Sequence, residues 1–148
     1  MKAFIKRLDN SLPLPSYKTA GSVGFDFFNR LDMVIPARGL GFLPLNAIIQ
    51  TPPGHLFILI PRSSLPAKKG LAHPHGIGLI DQDFSGPQDE LRLQVYNLTD
   101  QPVEVKKGER VAQGFFLKFD RVEWQEQENL ENTMTRGGFG STEGYSSH

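Results

Sequence analysis

Leu91-Arg-Leu-Gln-Val-Tyr96 alternates apolar and polar residues at period two, the signature of a strand with one face in the core and one outside it. Upstream, Leu56-Phe-Ile-Leu-Ile60 is apolar without interruption, as expected of a strand covered on both faces. Together these two stretches set the fold class. One is a half-buried strand, the other a central strand, and no part of the chain sustains a 3.6-residue apolar period.

Working outward, shorter strand-like runs occupy Ala3 to Leu8, Gly24 to Phe28, Leu40 to Leu45, Ala47 to Gln50, Val103 to Val105 and Val111 to Phe119. Breaks fall between them at Pro13 and Pro15, at Pro36-Ala-Arg-Gly39 and at Pro52-Pro-Gly54, where proline fixes φ and glycine frees it. Lys106-Lys-Gly108 reads as a hairpin-like connection. A short helix is expected around Ala67 to Gly70. The 15 glycines and 11 prolines spread along the chain fit many short strands joined by turns. The expected fold is all-β, a sandwich, jelly roll or barrel, with Trp124 and most of the phenylalanines in its core. Residues 1–125 read as one β domain. Beyond Gln125 the chain turns polar and glycine-rich, so 126–148 is expected to be a mobile arm.

Sixteen basic residues balance sixteen acidic ones, which removes any global electrostatic case for a nucleic-acid or membrane partner. Without cysteine there is neither disulfide nor thiolate chemistry. No apolar run approaches the roughly 20 residues that span a bilayer, and charge breaks the first ten residues too early for a signal-peptide core. The expectation is a soluble, cytoplasmic protein.

Four stretches carry chemistry. In Gly76-Ile-Gly-Leu-Ile-Asp-Gln-Asp-Phe-Ser-Gly86, apolar Leu79 and Ile80 run into Asp81, Asp83 and Phe84, reading either as a buried strand delivering an acid to a cleft or as a turn with solvated aspartates. Arg62, Ser63 and Ser64 follow the central strand, where a guanidinium beside two hydroxyls makes a phosphate cradle, or else an ordinary polar turn. Gly108-Glu-Arg-Val-Ala-Gln113 is either a hairpin with an exposed ion pair or the strand that sends Gln113 toward the same phosphates. Arg136-Gly-Gly-Phe-Gly-Ser-Thr142 is suited to closing over phosphates while Phe139 stacks on a base. Asp26, set among aromatics, reads blandly as a backbone cap. His73-Pro-His75 is too short and too isolated for a zinc site, and both histidines read as loop or hairpin residues.

In order and spacing, Val23–Phe27, Pro61–Leu65, Gly78–Gly86, Gly108–Gln113 and Gly137–Thr142 resemble the five motifs of the trimeric dUTP pyrophosphatases, over nearly the whole chain. The resemblance implies a jelly-roll homotrimer whose active sites are shared between subunits and which hydrolyses dUTP to dUMP and pyrophosphate with Mg²⁺. By that resemblance Asp81 is the general base. Arg62, Ser63, Ser64, Gln113, Arg136, Ser141 and Thr142 contact the phosphates. Deoxyuridine is met by His75, Gly76, Gly78, Ile80, Phe84 and Phe139, with uracil read by the backbone of a hairpin around His75 to Leu79. Mg²⁺ is held mainly by the phosphates, with Asp26 acting through a water. Because aspartate is a weak base, most of the rate would come from placing the water and neutralising charge.

Three features depart from the family pattern. Phe84 stands where tyrosine is usual, Pro87-Gln-Asp89 reads as an insertion, and Arg136 abuts Gly137 without a spacer. Two rival readings accompany the first. The related dCTP deaminases share the Arg-Ser-Ser-Leu motif of Arg62–Leu65, but they carry a catalytic glutamate in the region of the third motif and the strand after it, whereas that strand here, Leu91 to Asn97, has Gln94 and no acid, and an amide cannot shuttle protons. A catalytically silent nucleotide-binding scaffold would need the phosphate ligands but not Asp81.

Overall fold

The computed structural model describes residues 1–129 and Met134. In chain order the elements are β1 (Phe4–Lys6), β2 (Phe25–Phe28), β3 (Met33–Ile35), β4 (Leu40–Pro44), β5 (Ile48–Gln50), β6 (His55–Pro61), α1 (Ser64–Lys69), β7 (Leu71–Ala72), β8 (Gly78–Ile80), β9 (Arg92–Asn97), β10 (Val103–Val105) and β11 (Arg110–Lys118). Among the described residues the fold is all-β apart from one short helix. All paired strands run antiparallel, in a four-stranded sheet ordered β2-β11-β6-β8, a three-stranded sheet β4-β9-β7, and the two-stranded pairs β1-β5 and β3-β10.

The two stretches that set the fold class behave as their patterns require. β6 lies between β11 and β8, and Phe57, Ile58 and Leu59 at its middle are all buried. β9 buries Leu93 and Val95 and turns Arg92 outward. On the four-stranded sheet, Phe25, Phe27, Phe57 and Phe116 form one aromatic cluster with ring centroids 5.0 to 6.0 Å apart, one pair stacked and the others tilted or edge-on. Gly114 of β11 sits against this cluster, and a Cβ there would fall on the Phe57 ring.

The helix begins three residues earlier than expected, because Pro66 lies within its first turn, where a missing N–H costs nothing. Gly70 ends it at φ 64°, its N–H donating to Pro66 O at 2.8 Å, with Lys68 and Lys69 in the last turn where the helix dipole favours cations.

Three expectations are corrected. Lys106-Lys-Gly108 is not a hairpin, since β10 pairs with β3 whereas β11 pairs with β2 and β6; it carries the chain from one sheet to another. Leu79 is 62 % exposed, because β8 is an edge strand rather than a buried one. Trp124 is 92 % exposed, and Phe4 and Phe42 are also open. Trp124 follows the last strand and packs on no described part of the core.

Candidate active site

A buried carboxylate organises the first part of the site. Asp26 of β2 is 2 % exposed and lies cross-strand from Gln113 of β11, whose Nε2 donates to Oδ1 at 3.1 Å. Arg62 leaves the end of β6, held by its own N–H on Val111 O at 3.0 Å, and sets its Nε 3.3 Å from the same Oδ1. Arg110 donates from Nη1 to Oδ2 at 2.8 Å. Residues three apart on a regular strand face opposite sides, so Arg110 and Gln113 converge only because the β2–β11 register shifts between Arg110 and Ala112, a bulge that re-aims a side chain. Asp26 therefore does not cap a neighbouring backbone. It braces two guanidiniums and an amide.

Beside these groups lies a cavity of about 250 Å³ lined by Arg62, Ser64, Lys68, Lys69, Glu109 and Arg110. Lys69 bridges to Glu109 at 2.7 Å. Ser63 occupies the N-cap position without a side-chain capping bond, which leaves its hydroxyl available. Four cations against Asp26 and Glu109 make this a recess for a polyanion.

Asp81 follows β8 and lines a separate polar cavity of about 370 Å³ with Gln82, Asp83, Phe119 and Arg121. Gln82 ties the turn down, its Nε2 donating to His55 O at 2.9 Å. The Asp81 carboxylate bonds to no other described residue. A third cavity, also about 370 Å³, collects three of the deoxyuridine candidates, His75, Ile80 and Phe84, with Phe42, Gln88 and Gln94 among its other walls.

The segment His75 to Leu79, whose backbone is expected to read uracil, is not closed into a hairpin by its flanking strands. β7 pairs with β9 and β8 pairs with β6, so the two flanking strands belong to different sheets. Five residues cross between them, with Gly76 at φ 83°. Gly78 has a packing reason as well, since a Cβ there would come within 2.9 Å of Leu59 O. The Pro87-Gln-Asp89 segment closes on itself, Gly86 N–H donating to Asp89 Oδ2 at 2.7 Å, and it sends Gln88 to the third cavity.

Within one chain these parts do not form one site. Ile80 is opposite Phe57 on β6, while Arg62 lies beyond the far end of that strand. At about 3.3 Å per residue, Asp81 and Arg62 stand roughly 16–20 Å apart along the sheet. Arg136, Phe139, Ser141 and Thr142 lie outside the described residues. Arg110 was missed by sequence reasoning. Its motif, Gly108–Gln113, was in view, but the bulge that brings the guanidinium to Asp26 leaves no mark in composition or alternation. Among the described residues no three His, Cys, Asp or Glu side chains gather to hold a metal, and no helix is long and apolar enough to cross a membrane.

The fold and the sequence both have known counterparts. The chain is 37 % identical over 147 residues to the deoxyuridine 5'-triphosphate nucleotidohydrolase of Dictyoglomus turgidum, covering 96 % of this chain and 98 % of that one. It is 38 % identical over 144 residues to the same-named protein of Hydrogenobaculum sp., with the same coverage of both. Among solved structures, the dUTPase of Streptococcus mutans superposes with a TM-score of 0.74 at 30 % identity, over 81 % of this chain and 98 % of that one. A Staphylococcus bacteriophage 80alpha dUTPase with dUpNHpp shares the fold at a TM-score of 0.82 and 20 % identity, over 95 % and 97 %. Since the dUTPase family model itself matches residues 10–143, nearly the whole length in which the five motifs lie, this all-β jelly-roll chain belongs to the dUTPase family.

Proposed function

We propose that the protein hydrolyses dUTP to dUMP and pyrophosphate, as a cytoplasmic enzyme that keeps uracil nucleotides out of DNA precursors. The observation that carries this reading is the Asp26 brace. One buried carboxylate holds Arg62, Arg110 and Gln113 in a fixed array, and a fixed cationic array stabilises charge on a triphosphate without reorganising during reaction. Asp81 supplies the complementary part, a carboxylate bonded to no described side chain and so free to orient and deprotonate an attacking water.

The separation of Asp81 from Arg62 in one chain supports a site assembled from several copies, with Asp81 of one copy facing the Arg62 cradle of another in a homotrimer. Arg136, Ser141 and Thr142 of the 126–148 arm would complete the phosphate contacts, and Phe139 would stack on the uracil. Ile80 and Phe84 would line the nucleoside end, with the Phe84 ring under the sugar.

A divalent cation fits these residues in one way. Asp26 Oδ2 accepts only from Arg110 among the described residues, so it retains acceptor capacity for a water of a Mg²⁺ ion carried by the phosphates. That ion would supply charge neutralisation on the triphosphate. The test is pyrophosphate release by the purified protein with Mg²⁺ from dUTP, dTTP, dCTP and UTP. Selective turnover of dUTP is expected. Ammonia release from dCTP, or dUTP binding without turnover, would overturn the reading.

A further inference from the structure

Asp81 does not stand alone in its cavity. Asp83 and Arg121 line the same polar space of about 370 Å³, within the size range of small-molecule sites. One turn holds both of its walls. His55 N–H donates to Pro52 O at 3.2 Å and closes that turn. Gln82, between the two aspartates, donates from Nε2 to His55 O at 2.9 Å and to Pro52 O at 3.3 Å. On the opposite wall, two residues before Arg121, Phe119 N–H donates to Gly54 O at 3.3 Å. The carboxylates and the guanidinium are thus tethered to the same four residues from two sides. Arg121 nonetheless pairs with neither Asp81 nor Asp83, and its side chain bonds to no other described residue. A guanidinium held near two carboxylates without pairing to them is a free partner for an anion that enters the cavity.

Resting on the dUTP-hydrolase reading, we propose that Arg121 binds the α-phosphate of the substrate, from the same copy that supplies Asp81. In that reaction Asp81 takes a proton from the water, the water oxygen bonds to the α-phosphorus, and the bond from that phosphorus to the pyrophosphate oxygen breaks. Reacting atoms must lie about 3–3.5 Å apart before the step, so the α-phosphate comes to the Asp81 cavity. Two carboxylates alone would repel it. Arg121 is the one cation lining this cavity among the described residues, and its planar fork matches two oxygens of a phosphate. It therefore offsets the like-charge repulsion where the water attacks. The Arg62 cradle of another copy is left to take the β- and γ-phosphates.

The experiment measures dUTP turnover, and its competitive inhibition by dUMP and by deoxyuridine, in the wild-type protein, Arg121→Gln and Arg121→Lys. Melting temperature and oligomeric state are recorded for each. Of the two inhibitors, dUMP carries the α-phosphate and no other, whereas deoxyuridine carries none. Losing hydrogen bonds to a charged group is expected to lower kcat/KM for dUTP about 10- to 100-fold in Arg121→Gln. Inhibition by dUMP should weaken by a similar factor while inhibition by deoxyuridine stays at its wild-type strength. Arg121→Lys keeps the charge without the fork and should recover part of both losses. Wild-type inhibition by dUMP in Arg121→Gln, or an equal weakening of dUMP and deoxyuridine as from a loosened fold, would overturn the inference while leaving the activity itself standing. A wild-type protein that turns over no dUTP would overturn both.

Discussion

Asp26 and Arg110 stand 84 residues apart in sequence and 2.8 Å apart in space, and the same carboxylate also takes Arg62 at 3.3 Å. Asp26→Ala would leave two guanidiniums facing each other with their shared anion gone. Breaking a buried pair in this way costs about 3–5 kcal/mol. The expected value lies at the lower end, because both arginines are partly exposed and retain some hydration. Asp26→Asn keeps the shape and one acceptor, so it should lose less stability than Asp26→Ala. Both variants should raise KM for dUTP by disordering the cradle. Urea unfolding and steady-state kinetics on the pair decide this, and wild-type stability in Asp26→Ala would refute the bracing role.

Asp81 should separate chemistry from binding. Its carboxylate bonds to no described residue, so Asp81→Asn removes a base without removing a structural contact. Loss of a general base costs about 10²–10⁴-fold in rate. The expected outcome is a fall of that size in kcat, with the melting temperature and the affinity for a non-hydrolysable dUTP analogue unchanged. A parallel loss of affinity would mean that Asp81 holds the nucleotide rather than the water.

Much of the fold was legible because the period of a strand is written in alternation. Leu91 to Tyr96 and Leu56 to Ile60 became β9 and β6 with the burial their patterns implied. What was not legible depends on pairing. β3 and β7, three and two residues long, carry too few residues for any period. A turn at Lys106–Gly108 looks the same whether its strands meet each other or two different partners. Trp124 is core by residue type, yet sequence does not say whether a core lies beside it. In the site, Asp26, Arg62 and Gln113 were nominated from motifs and do converge. Arg110 was not nominated, because a one-residue bulge reverses which face a side chain takes. The hairpin expected at His75 to Leu79 failed for the same reason as the turn. Adjacency in sequence does not make two strands partners.

Arg30 and Glu90 form a second long-range pair, bidentate at 2.7 and 2.8 Å, and Glu90 Oε1 also accepts from Asn46 N–H at 2.9 Å. Glu90 is buried, and the Arg30 pKa is raised above its ordinary value by the hydrogen bonds from its guanidinium to Glu90. Glu90→Ala would strand both the guanidinium and a buried N–H. An expected loss of about 3–5 kcal/mol should appear in denaturant unfolding. Replacing Arg30 and Glu90 together by methionine should recover part of that loss, since an apolar pair strands no charge. Equal stability for the single and double variants would show that the ion pair is not what holds this corner.

Asp9 offers a pH test with a definite sign. Its Oδ2 lies 2.6 Å from Lys107 Nζ, and Oδ1 accepts from the hydroxyl and the N–H of Ser11. The bond from Lys107 first, then those from Ser11, hold its carboxyl well below the usual carboxylate range. A folded pKa below the unfolded value of about 3.9 means that the stabilisation is complete above that pH and is lost as pH falls through the range beneath it. The expected measurement is a difference in unfolding free energy between wild type and Asp9→Asn that is constant from pH 7 to about pH 5. It should shrink toward zero below about pH 4 as the aspartate protonates and comes to resemble the amide. Added salt should reduce the difference at neutral pH, because the pair is open to solvent and screened. A difference that falls with pH but that salt does not move would assign the contact to the Ser11 turn alone and leave Lys107 with no part in it.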